Sequence, residues 1–173
     1  ARMRRHDHTL LPPAPAATLE FGSPNACNLC HKDQDARWAD QWVRKWYPRD
    51  YQAPLLARAR LIDGARKADW SKLREMVDYL GSKDRNAMYS AGLLRLLQPC
   101  PLPAKWPAFL KALRDPSPLV RASAAAGLAS FPDRAAFEAL VDATGDDFRL
   151  VRTEAAAALS GMPLDSLDPQ RRR

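Results

Sequence analysis

From residue 49 to residue 163, apolar and polar positions recur with helical spacing. The breaks fall at prolines: Pro54, Pro99, Pro103, Pro116, Pro132 and Pro163. The pattern also repeats. Asp115-Pro116-Ser117-Pro118-Leu119-Val120-Arg121 returns 31 residues later as Asp146-Asp147-Phe148-Arg149-Leu150-Val151-Arg152. Ala124, Ala125, Ala126 and Leu128 then match Ala155, Ala156, Ala157 and Leu159, and Phe131-Pro132 matches Met162-Pro163. One period earlier, Asp84, Ala91, Leu93, Leu94 and Leu97 make a weaker third copy. Trp106, Phe109, Leu110 and Leu113 correspond to Phe137, Leu140 and Val141 on the partner helices. These periods predict an all-α solenoid of helix pairs, in which small alanines allow close helix approach and leucines supply the core. Arg121 and Arg152 are expected to form a ladder with acidic caps such as Asp115 and Asp146.

Upstream the pattern changes. Residues 27–48 hold one helix, capped by Asp33 or Asp35 and stopped at Pro48. Trp38, Trp42 and Trp46 share one face of it, expected to pack on the first repeat helices. Residues 1–26 show no apolar period. Pro12, Pro13, Pro15 and Pro24 predict an extended arm there. The chain thus divides into an arm (1–26), a motif-bearing segment (27–48), repeats (49–163) and a basic tail (164–173).

The motif in the second part is Cys27-Asn28-Leu29-Cys30-His31. Cys-x-x-Cys-His is the attachment pattern of a c-type haem: two thiols one helical turn apart each add to a vinyl group, and the adjoining histidine reaches the iron. A zinc site wants four ligands and would have to complete its set from Cys100, His6 and His8, with both of these histidines on the wrong side of the cysteine pair. A redox pair or simple disulfide is the other alternative, without a strand–helix–strand pattern around it.

The flanks carry a resemblance. Ser23-Pro24-Asn25-Ala26 before the motif, Lys32-Asp33 after it, then Ala36-Arg37-Trp38-Ala39 and Lys45-Trp46-Tyr47, resemble a bacterial multihaem cytochrome c family. Its members carry a PNACNxCH site, a Trp-containing helix and helical repeats of the HEAT or tetratricopeptide kind. They also carry an upstream Asp-His-Ser/Thr element, here Asp7-His8-Thr9. The resemblance implies one haem c on this chain, with Cys27 and Cys30 as thioether sites and His31 as proximal ligand. His8 is the implied distal ligand and His6 the second candidate; Trp38 would pack on the haem. His8 either completes this haem or ligates one attached elsewhere. Family members usually have further sites. With one, this chain reads as a monohaem relative or the carboxy-terminal part of a longer multihaem protein. The repeats resemble short bacterial HEAT-like units.

The resemblance also implies a periplasmic or extracellular location, with a signal or larger N-terminal part absent from this chain. The formal net charge is +7, with Arg2, Arg4 and Arg5 at one end and Arg171, Arg172 and Arg173 at the other. Nucleic acid is not expected in that compartment. The basic groups suit haem propionates or an acidic redox partner, or simply keep the surface solvated. No apolar run is long enough to span a membrane. Cys100 is expected to be a packing residue, with an intermolecular disulfide as the alternative. The expectation is an electron-transfer cytochrome rather than an enzyme, with a bis-His haem, in a haem chain or larger redox assembly. Its partner would be a redox protein or neighbouring haem subunit. The alternatives are a helical-repeat scaffold whose haem is structural or sensory, and a haem enzyme with an open sixth site.

Overall fold

The computed structural model describes residues 12–131 and 133–162. Among them every regular element is helical, and the fold is an all-α helical repeat. The chain forms two compact units, Ala1–Ala57 and Arg58–Arg173.

The first unit holds α1 (Pro15–Phe21), α2 (Cys27–Cys30), α3 (Ala36–Trp46) and the start of α4 (Gln52–Arg66). The expected extended arm is therefore corrected over Pro15–Phe21. Proline is excluded from a helix interior, but Pro15 occupies the first turn, where its missing N–H costs nothing and its fixed φ already suits the helix. Gly22 ends α1 at φ 66°, its N–H donating to the Thr18 carbonyl at 2.9 Å. Asp35 caps α3 by accepting from the Trp38 N–H at 2.8 Å, and the helix stops at Trp46, short of Pro48. Pro54 is not a break: it sits in the first turn of α4.

Among the described residues the apolar core of this unit is small: Pro15, Ala16, Ala39, Val43 and Leu56. A buried amide supplements it. Gln52, 1% exposed, accepts from the Ala16 N–H at 3.0 Å and donates to Asp40 at 2.8 Å. One side chain thus ties α1, α3 and α4 and satisfies a first-turn N–H with no partner in its own helix. Tyr51 donates to the Pro13 carbonyl, and burial pushes its phenol up.

Among the described residues the second unit contains three helix pairs: α5 (Leu73–Gly81) with α6 (Ala87–Leu97), α7 (Trp106–Ala112) with α8 (Pro118–Leu128), and α9 (Arg134–Ala143) with α10 (Arg149–Ser160). The second helices begin at Ala87, Pro118 and Arg149, a constant 31 residues apart. The weak third copy is thus a real repeat, with Ala91, Leu93, Leu94 and Leu97 all buried. The regular pairs start after α4, at the short 3-10 turn Trp70–Lys72.

α8 lies between α6 and α10 and buries Val120, Ala122, Ala124, Ala125 and Leu128. A Cβ on Gly127 would lie 2.0 Å from a ring carbon of Phe109, itself fully buried. Cys100 is 3% exposed in the same core, which places its thiol among packing residues. Lys105 is buried too. Its ammonium donates to the carbonyls of Leu97 (3.2 Å) and Gln98 (2.6 Å) at the end of α6, and burial lowers its pKa.

The expected ladder takes a definite form. Arg121 donates to the backbone carbonyls of Asp115 and Pro116 in its own repeat, and reaches forward to both carboxylate oxygens of Asp146 at 2.7 and 2.8 Å. Asp115 is held by Arg85 from the preceding repeat. Both aspartates also start the next helix, accepting from the N–H of Ser117 and Phe148. Arg152 keeps only the local half of the pattern, bonding the carbonyls of Asp146 and Asp147.

Two outcomes follow. Gly→Ala at an exposed helix position stabilises by about 1 kcal/mol, but Gly127→Ala is expected to destabilise by about 1–3 kcal/mol, because the methyl group meets an immobile ring. Urea unfolding measures the sign. Arg121 holds the Asp146 carboxyl below the ordinary range. A depressed folded value stabilises above the unfolded pKa, about 3.9, and is lost as pH falls through the folded one. Asp146→Asn should therefore cost about 1–3 kcal/mol at pH 7 and progressively less on acidification, as followed by thermal melts across pH.

Candidate functional site

α2 is a single turn, and it carries the motif. The His31 N–H donates to the Cys27 carbonyl at 2.9 Å, closing the turn on which both cysteines sit three positions apart. So short a helix has little stability of its own. Two asparagines hold it. Asn25, 9% exposed, accepts from the Asn28 N–H at 3.2 Å, while its amide nitrogen lies 2.9 Å from Thr18 Oγ1 on α1 and 2.8 Å from Asn28 Oδ1. Asn28 in turn donates to the Gln34 carbonyl at 2.8 Å and, more weakly, to that of His31 at 3.4 Å. The turn is thus braced to α1 on one side and to the lead-in of α3 on the other.

Cys27 is half-buried, Cys30 and His31 are exposed, and no disulfide joins the three cysteines. The His31 ring lies 4.8 Å from Trp38, centroid to centroid. Trp42 follows at 6.4 Å and Trp46 at a further 5.7 Å, with the Lys45 ammonium 4.6 Å from the Trp42 ring. Asp33 sits just past His31. The Gln34 amide lowers its carboxyl pKa, assisted by its own backbone and by His31.

The three tryptophans form the continuous row that their spacing predicts. The buried residues of α3 are Ala39 and Val43, on its α1 side, whereas Trp46 is 62% exposed. Spacing sets which residues share a face; the smaller residues took the inward one. Leu29, between the two thiols, is 69% exposed. Uncovered apolar side chains beside two accessible thiols and an accessible imidazole fit a large, flat, apolar group attached there.

Among the described residues no group of three or more His, Cys, Asp or Glu side chains is arranged to hold a bare metal ion. His8 and His6, the two distal-ligand candidates, lie outside the described residues, as does the basic tail. The sequence reading missed the roles of Asn25, Asn28 and Gln52. Both asparagines stood in the quoted motif, but nothing in their spacing announced the brace. Gln52 has partners 12 and 36 residues away and left no local signal. Among the described residues no helix is long and apolar enough to cross a membrane.

Residues 106–169, covering α7 to α10, match the HEAT repeats family, to which this part of the chain is similar. No curated protein matches the chain.

Removing the brace should loosen the motif. Asn25→Ala leaves the Thr18 hydroxyl and the Asn28 N–H without their partner. At about 1 kcal/mol per lost bond, amide-exchange protection at His31 should fall about fivefold or more. Unchanged protection by NMR would mean that the turn stands without Asn25.

Proposed function

We propose that this chain is a c-type cytochrome domain that transfers single electrons. The observation that carries the reading is the braced turn itself, with two accessible thiols one helical step apart and an accessible imidazole next to them. Cys27 and Cys30 would hold a single haem c through thioethers, and His31 would ligate its iron. His8, and failing it His6, would supply the sixth ligand. A haem so held cycles between ferric and ferrous iron, one electron at a time.

The chain's own residues do the positioning. Asn25 and Asn28 fix the turn before any cofactor is attached. Trp38 limits rotation of the His31 ring by lying against it. Trp38, Trp42 and Leu29 would offer an apolar surface to the attached group. Among the described residues of the solenoid, the caps and the Arg–Asp ladder engage Asp115, Arg121 and Asp146 in structural contacts. The role we assign is electron transfer rather than enzymatic turnover, in a periplasmic or extracellular chain of haems or larger redox complex. The electron partner would be an acidic redox protein or a neighbouring haem subunit.

A second reading, a scaffold whose haem is structural or sensory, is favoured by one observation: two helix pairs of the solenoid match HEAT repeats, which commonly mediate protein contacts. A haem enzyme with an open sixth site is the third.

A pyridine haemochrome spectrum with intact mass on the same sample tests the first reading. The expected result is a c-type band and a mass increase of one haem; a mass without haem overturns it. The visible spectrum then assigns the sixth ligand. A six-coordinate low-spin protein that turns high-spin in His8→Ala confirms His8, whereas one that stays low-spin in both His8→Ala and His6→Ala rules out both candidates.

A further inference from the structure

The second helices carry the packing of the solenoid, α6 on α8 and α8 on α10. The first helices stand further apart, and α5, α7 and α9 line a groove of about 1240 Å3. That exceeds the roughly 300–1,000 Å3 of a small-molecule site and suits a segment of polypeptide.

Its floor is apolar and shallow: Val77 and Leu80 from α5, Leu110 from α7, and Ala135, Ala139 and Ala143 from α9. The three alanines are spaced four apart, on one face of α9, and each retains some exposure. A row of methyl groups lets another helix come close.

Four cations (Lys83, Arg85, Lys111, Arg114) and four carboxylates (Asp78, Asp115, Asp142, Asp146) line the groove, and they differ in how many are already paired. Two of its aspartates, Asp115 and Asp146, are already held by Arg85 and Arg121. Asp78 faces Arg74 at 3.8 Å. Lys83, Lys111 and Arg114 also line the groove and have no carboxylate partner among the described residues. Of the lining carboxylates, Asp142 alone stands against them.

We infer that this groove docks an acidic amphipathic helix of a partner protein, its apolar face on the alanine row and its carboxylates on Lys83, Lys111 and Arg114. The apolar floor favours such a helix over a nucleic-acid backbone, which would use the cations and leave the floor uncovered. Binding here is independent of any cofactor on the first unit.

The test uses the full chain and a fluorescein-labelled helical peptide of about 14 residues, or four turns, with leucine on one face and glutamate on the other. Fluorescence anisotropy should show saturable binding that weakens as salt is raised. Lys111→Glu with Arg114→Glu should weaken it by about tenfold or more, the loss of two charged contacts. Ala139→Trp, which fills the floor, should weaken it comparably at unchanged helicity. If that variant fails to fold, Ala135→Leu replaces it. The counterpart peptide with lysine in place of glutamate should not bind. The inference is overturned by absence of saturable binding, by equal affinity in the charge-reversed or floor-filled variant, or by binding of the lysine peptide. Equal affinity for a single-stranded DNA oligonucleotide also overturns it and makes the cations a nucleic-acid surface.

Discussion

The approach of α8 to Phe109 sets the geometry on which the solenoid is built. There is no room for a methyl group at position 127, and Ala122, Ala124 and Ala125 are buried along the same helix. Small side chains bring α8 close to its neighbours, and the large ones (Leu93, Leu94, Leu97, Phe109, Leu128, Leu140) fill what remains. Interiors packed to this density tolerate little change in volume. The arginine–aspartate contacts between repeats need the same register. Asp115 and Asp146 occupy equivalent positions, but Arg121 reaches Asp146 from within α8 whereas Arg85 reaches Asp115 from ahead of α6.

The first unit is built on another principle. Its apolar core is a handful of small side chains, so polar groups with several partners carry more of the organisation. Gln52 joins three helices through one amide, and Asn25 joins α1 to the cysteine turn. Such buried polar groups specify geometry because each must be satisfied in one arrangement. A unit of this kind can hold a single helical turn in place for chemistry while most of the turn's surface stays accessible.

What could be read from the sequence follows the range of the interactions. The helix pairs were legible because each repeat must meet the same contacts as the last, so the pattern recurs even in the degenerate copy at Ala91 to Leu97. The Asp35 cap was legible because its partner lies three residues away. The helix at Pro15 was not: proline breaks a helix or begins one according to position, and only the tertiary bonds to Ala16 and Pro13 decide it. At the candidate site, Cys27, Cys30 and His31 were evident from spacing. The exposure of Trp46 was not, since periodicity tells which residues share a face and not which face turns inward. The groove between the first helices was equally hidden, because it arises from how far apart they stand.

The ladder also bears on how such a chain can change its length. Each internal link joins an arginine of one repeat to an aspartate that starts the second helix of the next, and Arg121 and Arg152 bind their own loops alike. A slip in replication that removes or duplicates one whole period joins an arginine of one unit to an equivalent aspartate of another. Because Arg85 lies ahead of its second helix and Arg121 within its own, the join keeps one arginine for each aspartate only where the exchanged piece carries both its aspartate and its arginine. Under that condition the solenoid can gain or lose repeats in evolution without renegotiating its contacts, whereas the braced turn of the first unit, with no second copy to stand in for it, cannot.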